Sequence, residues 1–304
     1  MEVYMSLSSN SPLIFRVFAY LNERFPPVVY TVLVLLFWAS SVSVADGLNQ
    51  SDFSWDSAPV MPVVWLVFLH LRLFDEHKDA DIDREAYPDR LLSRGVVTLP
   101  LLWRLALLSI GLEALISVYL GSVVLWAWGA TLAFTLAMRA EFGVGEWLNS
   151  RMLLYAITHN PVVALLGLVC WASTGSPWQL GFGLYLLMVS LSSLVFELGR
   201  KIRLPEEEVT GVPSYSSTLG RHHAIRILRG IGLLSVIIGV GVLWTLRPSE
   251  QMLYFGAGAF IHCCAFVALV VFSGQDSKAS KVETGGSLFL LLQLVACIVG
   301  SISE

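Results

Sequence analysis

Long apolar runs separated by short polar connections recur along the whole chain. Each run extends over about 18 to 23 residues, and a helix that crosses a lipid bilayer needs about 20 predominantly apolar residues. The pattern therefore predicts nine transmembrane helices in an all-α, polytopic membrane bundle. The predicted helices are residues 28–45, 59–76, 97–118, 121–138, 151–172, 178–200, 226–246, 251–273 and 284–302.

The segment before the first run, residues 1–27, has a different pattern. Its apolar positions recur at the spacing of one helix face and are Leu13, Ile14, Val17, Phe18 and Leu21. The segment lacks the basic start, long apolar core and small-residue cleavage site of a secretory signal. We therefore expect an amphipathic helix at the membrane interface, followed by nine helices within 28–302, in a single membrane domain over 1–304.

The composition agrees with a membrane protein and excludes one class of function. Hydrophobic residues make up 56% of the 304-residue chain and charged residues 14%, whereas soluble domains have about 25% charged residues. The formal net charge of −4 excludes the dominant basic field of a nucleic-acid-binding protein. The cysteines have neither disulfide-framework nor metal-site spacing and are predicted to be packing residues. They are Cys170, Cys263, Cys264 and Cys297.

Lys and Arg residues are concentrated in alternate connections between the predicted helices. The richest connections are residues 72–96 and 200–229, whereas the opposite side carries only Arg247. Because cytoplasmic loops carry an excess of Lys and Arg, this alternation predicts a cytoplasmic N-terminus and a C-terminus on the outer side.

The cytoplasmic end of the second predicted helix carries the largest acidic concentration on that side. Asp75, Asp79 and Asp83 are spaced four residues apart, which places three carboxylates in one stripe of a helix. Because like charges at this spacing repel, the stripe is costly unless cations neutralise it. Mg²⁺ prefers such hard oxygen ligands and is often shared with a substrate phosphate. The pattern indicates a site for magnesium and a diphosphate; a solvated, charge-rich loop is the alternative.

Residues 75–95 read D-E-x-x-D-x-D-I-D-R-x-x-x-P-D-R-x-x-x-x-G. This run resembles the first aspartate-rich signature of the UbiA superfamily of intramembrane prenyltransferases, with Asp75-Glu76 in place of its usual Asn-Asp. The positions that match the archaeal lipid-synthesising members are Asp79, Asp83, Arg84, Pro88, Asp89, Arg90 and Gly95. The resemblance implies a nine-helix bundle with a central cavity open to the cytoplasmic side, Mg²⁺ as cofactor and a prenyl diphosphate as substrate.

The second acidic motif of that family corresponds here to residues 197–223, and the chain departs from it. The usual D-x-x-x-D is replaced by Glu197 and by basic residues, with Arg200 and Lys201 on the same helix face before Pro205 ends the helix. The family's second metal therefore lacks its usual ligands. Arg200 and Lys201 are expected to bind the diphosphate directly, unless they are ordinary basic residues at a cytoplasmic helix end.

Polar residues inside predicted membrane helices usually face the interior of a bundle. Tyr155 and His159 lie four residues apart on the fifth predicted helix, and Asn160 follows. We interpret these three as candidates for the acceptor or prenyl pocket, with a histidine satisfied by a neighbouring helix as the alternative for His159. His70 and His262 are interpreted as packing or interface residues.

These patterns predict magnesium-dependent transfer of an isoprenyl group from a prenyl diphosphate to a lipophilic or aromatic acceptor. Asp75, Asp79 and Asp83 are the expected metal ligands, and Glu197 is a further candidate for catalysis. The residues expected to contact the diphosphate are Arg139, Arg200, Lys201, Lys78 and Arg90. Two alternatives remain: a UbiA-type terpene cyclase that acts without an acceptor, and a non-catalytic lipid-binding relative.

Overall fold

The computed structural model describes residues 7–246 and 252–302. Within these residues the protein is built from helices and connections, without a β-strand. Residues 1–6 of the predicted interfacial segment and Arg247, which entered the prediction of orientation, lie outside the described residues. The helices are α1 (Leu13–Arg24), α2 (Pro27–Leu48), α3 (Met61–Lys78), α4 (Ala80–Ala86), α5 (Leu99–Leu120), α6 (Ser122–Arg139), α7 (Gly145–Asn149), α8 (Met152–His159), α9 (Pro161–Thr174), α10 (Leu180–Gly199), α11 (Tyr215–Leu219), α12 (Arg221–Thr245), α13 (Met252–Phe272) and α14 (Ala279–Gly300).

The described residues contain nine helical segments that are long and apolar enough to cross a membrane. Seven of them are single helices from this series. The second begins with a 3₁₀ turn at Trp55–Val60 that continues into α3, and the fifth combines α8 and α9. The predicted number of membrane helices is therefore confirmed for this part of the chain.

The fifth predicted helix is interrupted near its middle. Helix α8 ends at His159 and α9 begins at Pro161, because proline lacks the backbone N–H of a helical hydrogen bond and its ring crowds the preceding turn. Between them, the side-chain amide of Asn160 donates to the carbonyl of Ser190 on α10, at 2.7 Å. This break lets Tyr155 and His159 approach α3 and α6.

Small residues allow the helices around the second acidic segment to pack closely. A Cβ atom on Gly199 of α10 would lie 3.3 Å from the carbonyl oxygen of Val282, and one on Gly286 of α14 would lie 3.3 Å from that of Val195. Such close backbone approach is a common basis of helix association in membranes. Helix α10, which carries Glu197, is thereby held firmly against α14.

Helix α1 is amphipathic, as predicted. Leu13, Ile14 and Phe18 have exposed side chains, whereas Ala19 and Tyr20 are fully buried against the rest of the protein. The apolar, exposed face is what a helix at a membrane interface requires, and the opposite face fastens α1 to the bundle.

Two histidines inside the bundle make polar contacts that the interpretation as packing residues did not include. His70 Nδ1 lies 2.8 Å from Glu113 Oε1 and its Nε2 lies 3.2 Å from Thr135 Oγ1, while Trp128 donates to the other oxygen of Glu113. His262 Nδ1 lies 2.7 Å from the side-chain oxygen of Gln293. Since a buried polar group left without a partner costs about 1–3 kcal/mol, the first network ties α3, α5 and α6 together.

The prediction for the cysteines is confirmed for two of them. Cys170 and Cys297 are buried packing residues, but Cys263 and Cys264 are exposed on α13. An exposed thiol on a membrane helix needs no polar partner when lipid surrounds it, because cysteine behaves as a small hydrophobic residue.

Candidate active site

The first acidic segment lies where α3 ends. The helix stops at Lys78, Asp79 leaves helical geometry with φ −95° and ψ 4°, and α4 resumes at Ala80. Backbone hydrogen bonds nevertheless run from Asp79 to Asp75 at 2.9 Å and from Asp83 to Asp79 at 2.8 Å. The three aspartates therefore follow one another by a turn, as predicted, but across a break rather than on one continuous helix.

The acids of this segment differ in their partners. Asp83 forms ion pairs with Arg90 and with Arg24 Nη2, the latter at 3.3 Å. The side chain of Glu76 is 2% exposed and pairs with Arg24 Nε at 2.7 Å and with Arg72. Arg24, which both acids share, is the last residue of α1.

Asp75 and Asp79 are unpaired acids at the break between α3 and α4. Within the described part of the chain, neither carboxylate has a basic partner within 4.0 Å or a side-chain hydrogen bond. Burial raises the pKa of Asp79 above its ordinary value, and the nearby charge of Asp83 adds to this, whereas Lys78 opposes it. A cation bound to Asp75 and Asp79 would offset both the burial of these carboxylates and the repulsion between the acidic side chains.

The second acidic segment faces the first. Asp75 interacts electrostatically with Glu197 and Lys201, and Asp79 also interacts with Lys201. Glu197 is itself paired, with Lys201 Nζ at 2.7 Å and Arg200 Nη1 at 3.5 Å. Glu197, Arg200 and Lys201 therefore lie close together, as predicted. Lys201 is near Glu197 of the second segment and near Asp75 and Asp79 of the first.

The prediction that Pro205 ends this helix was wrong. Helix α10 ends at Gly199, and Pro205 instead begins a short 3₁₀ turn. Arg200 and Lys201 therefore lie in the chain reversal after the helix, where the backbone of Lys201 accepts a hydrogen bond from Tyr215 at 2.9 Å. That contact anchors the reversal to α11.

A narrow cleft opens beside Asp75 between α3, α6 and α8. It brings together four more of the predicted site residues, Lys78, Arg139, Tyr155 and His159. The residues that line it are Leu71, Phe74, Asp75, Lys78, Thr135, Met138, Arg139, Tyr155 and His159. Its lining therefore combines apolar side chains with acidic and basic ones.

Two cationic side chains stand at the mouth of the cleft. Lys78 donates to the Tyr155 hydroxyl and lies 3.4 Å from Glu141 Oε1. The guanidinium of Arg139 lies over the Trp103 ring, 4.6 Å from its centroid, and has no carboxylate partner among the described residues. Stacking on an aromatic face orients a guanidinium while leaving its N–H groups available.

Two predicted site residues are used differently. Arg90 pairs with Asp83 and stacks on the Tyr87 ring at 3.6 Å, so it holds the acidic loop rather than the cleft. Asn160 does not line the cleft, because its amide is bound to Ser190.

Arg24 is the main residue that the sequence analysis missed. The ion pairs with Glu76 and Asp83 raise its pKa above the ordinary value, although burial lowers it. Its partners lie 52 and 59 residues away in the sequence. Only its position at the end of an amphipathic helix that precedes the acidic segment hinted at this role.

The donor atoms of the first segment fit a divalent cation that is shared with a ligand. Within residues 7–246 and 252–302, no three His, Cys, Asp or Glu side chains form a group ready to hold a metal by themselves. Mg²⁺ commonly uses one or two carboxylates and completes its shell with water and substrate phosphate oxygens. Asp75 and Asp79 supply that partial set, whereas Asp83 is engaged by arginines.

Among solved structures, the chain is similar to two proteins over most of their length. One is a structure reported for a digeranylgeranylglyceryl phosphate synthase in membranes, with 18% identity, a TM-score of 0.60, and coverage of 95% of this chain and 99% of that chain. The other is the apo structure of a UbiA homolog from Aeropyrum pernix K1, with 18% identity, a TM-score of 0.61, and coverage of 87% and 95%.

No protein-family model and no curated protein matches the chain. The structural likeness shows the fold, and the prediction of a UbiA-like polytopic helix bundle is confirmed by it.

Proposed function

We propose that this protein is an intramembrane prenyltransferase of the UbiA superfamily, which transfers an isoprenyl group from a prenyl diphosphate to a lipophilic or aromatic acceptor in a magnesium-dependent reaction. The observation that carries the proposal is the pair of unpaired carboxylates, Asp75 and Asp79, beside a cleft that also presents Lys78 and Arg139. Like charges held together without partners are costly, and a polyphosphate with its cations would neutralise them.

In this proposal the carboxylates and the basic residues divide the binding of the substrate. Asp75 and Asp79 would hold Mg²⁺, which neutralises charge on the diphosphate as that group departs. Arg139 can bind two phosphate oxygens with its fork of N–H groups. Lys78 and Lys201 add positive charge at the mouth of the cleft.

The cleft has a volume of only about 20 Å³ in this structure, so in this proposal its apolar residues would contact the isoprenyl group only where it joins the diphosphate. Leu71, Phe74 and Met138 are apolar lining residues of the cleft, so they would exclude the water that would otherwise capture an allylic cation. The Phe74 ring also offers an aromatic face of the kind that stabilises cations. The acceptor must then enter from the same apolar side.

For Glu197 we propose a positioning role, and its predicted role in catalysis stays a prediction. Its carboxylate is paired with Lys201 and Arg200, so it would position Lys201 toward the diphosphate rather than bind a second metal. This role compensates for the absent D-x-x-x-D motif, because a fixed ammonium group replaces part of the charge of a metal ion.

The direct test is the variant Asp79→Asn, with Asp81→Asn as matched control. Asp81 lies two residues away, and its side chain is fully exposed. Purified protein in lipid is incubated with geranylgeranyl diphosphate, Mg²⁺ and a lipid extract, and products are measured by mass spectrometry. Asp79→Asn should lower turnover by at least about 100-fold, the usual cost of removing a preorganised charge-stabilising group, whereas Asp81→Asn should retain wild-type turnover.

The same assay tests the assignment of reaction class. A terpene product formed without any acceptor would identify a cyclase, and magnesium-independent diphosphate binding without product would identify a non-catalytic protein. An Asp79→Asn variant that turns over normally in magnesium-free buffer would overturn the proposal.

A further inference from the structure

Lys78 does not pair with the acids that are its neighbours in sequence. It lies three residues after Asp75 and directly before Asp79, and an acid followed by a basic residue three positions later on a helix can form an ion pair. Lys78 interacts electrostatically with both aspartates. Among the described residues, however, its carboxylate partner within 4.0 Å is Glu141, with 3.4 Å between Nζ and Oε1.

The carboxylate of Glu141 is held in place by the loop between α6 and α7. The side-chain amide of Asn149, the last residue of α7, donates to both of its oxygens, at 3.1 and 3.4 Å. A Cβ atom on Gly145 would collide with the same carboxylate, so the glycine leaves the space that this group occupies. Glu141 is therefore positioned by contacts that do not involve Lys78.

The backbone of the same loop has an uncommon conformation. Glu141 and Phe142 are left-handed, with φ 48° and 53°, and Gly143 continues the turn with φ 72°. Such a conformation is unfavourable for residues with side chains, and it persists where the surrounding structure enforces it. The Phe142 ring packs against Phe134 at 5.6 Å and His159 at 5.3 Å between centroids, which fastens the turn to α6 and α8.

Tyr155 on α8 provides the second contact of Lys78. Its hydroxyl accepts a hydrogen bond from the ammonium group, which also lies 4.5 Å from the centre of the Tyr155 ring. A neutral hydroxyl alone competes poorly with a carboxylate for an ammonium group, because hydrogen bonds between ionised partners are roughly twice as strong as those between neutral ones. The negative charge of Glu141 is what favours this position of Lys78 over a pair with Asp75.

We infer that Glu141 is a positioning residue that holds Lys78 away from Asp75 and Asp79 and thereby keeps both carboxylates open to divalent cations. This inference rests on the proposed function and adds to it how the cation site is kept open before the substrate binds. Without the charge of Glu141, Lys78 is free to pair with Asp75 on its own helix, and that ion pair would compete with a bound cation.

The test is the variant Glu141→Gln, which keeps the size of the side chain and removes its charge, with Glu146→Gln as matched control. Glu146 is an exposed acid on α7. Purified protein in detergent is titrated with Mn²⁺, which takes the same oxygen ligands as Mg²⁺, and free Mn²⁺ is measured by electron paramagnetic resonance without any substrate. The variant Asp79→Asn identifies the part of the binding that belongs to this site.

We expect the dissociation constant for Asp79-dependent Mn²⁺ binding to rise by about threefold in Glu141→Gln, the size of effect that a partly buried ion pair has on a competing equilibrium. Glu146→Gln should keep the wild-type value. Because the loss of a negative charge could also weaken cation binding directly, both variants are measured again together with Lys78→Met. An effect that acts through Lys78 should disappear in that background.

The role of Glu141 and the proposed function fail in different ways. The role of Glu141 alone would be overturned by an unchanged dissociation constant in Glu141→Gln, by a rise of the same size in the Lys78→Met background, or by wild-type protein that turns over without Asp79-dependent Mn²⁺ binding. Absence of magnesium-dependent diphosphate release from the wild-type protein would overturn the proposed function itself.

Discussion

The two acidic segments differ in how far basic side chains of the protein pair with their carboxylates. In the segment that ends α3, Asp75 and Asp79 have no basic partner in the described part of the chain. In the segment that ends α10, Glu197 already contacts Lys201 and Arg200. An acidic motif thus indicates a cation site only where the tertiary structure leaves the carboxylates unpaired, since a paired carboxylate must first give up its protein partner.

Glu76 represents the opposite extreme to Asp75, although the two are adjacent in sequence. Successive helical residues point about a quarter turn apart, so Asp75 faces the cleft while Glu76 turns toward α1 and its arginine. The first is free to bind a ligand, and the second fastens the acidic loop to the interfacial helix.

The largest effect that we expect from this contrast is on stability, in the variant Glu76→Gln. It removes the charge that Arg24 and Arg72 share, and leaving such groups unsatisfied costs about 1–3 kcal/mol. The thermal unfolding midpoint in detergent should therefore fall clearly below that of wild-type protein. Asp81→Asn is again the control, and an unchanged midpoint for Glu76→Gln would show that α1 is not held by this ion pair.

A smaller effect, on turnover, is expected from Glu197→Gln. This variant tests whether the second acidic segment binds a metal ion. If Glu197 positions Lys201 instead of a cation, as we propose, turnover should fall by less than about 10-fold, which corresponds to about 1.4 kcal/mol. The Mg²⁺ concentration that gives half-maximal turnover should stay within about threefold of the wild-type value, where a lost metal ligand costs far more. A rise of that concentration by an order of magnitude would instead make Glu197 a ligand.

The smallest expected effect is a stabilisation, in the variant Asp79→Asn measured without Mg²⁺. Burial raises the pKa of Asp79 in the folded protein, so ionised Asp79 destabilises the folded state. This destabilisation is fully present above the folded pKa and disappears as the pH falls below the unfolded pKa of about 3.9. At pH 7, Asp79→Asn should raise the free energy of unfolding by no more than about 1 kcal/mol, and the unfolding midpoint should rise slightly. Both gains should vanish near pH 4. A lower midpoint at pH 7 would mean that Asp79 is paired after all.

Much of the candidate site could be predicted from spacing. Asp75 and Asp79 follow from the periodicity of one helix end, and Glu197, Arg200 and Lys201 from another, because residues three and four apart share a face whatever surrounds the helix. Arg139 was expected to contact the diphosphate, which stays a prediction, and it lines the cleft beside Asp75. The roles of Arg90 and Asn160 could not be predicted, since they depend on partners that meet only in the folded bundle.

The sequence by itself determined the membrane architecture of this protein. Length and hydropathy are properties of each segment alone, and a bilayer accepts an apolar run only as a helix with its backbone hydrogen bonds made internally. The helix count therefore required no knowledge of neighbours.

The tertiary structure alone decided which charged groups remain available for a ligand. Arg24 reaches across 52 and 59 residues of sequence to occupy Glu76 and Asp83, and the break before Pro161 turns His159 toward α3 and α6. Whether a carboxylate is free depends on every group within a few ångströms of it, and those groups come from helices that are distant in the chain.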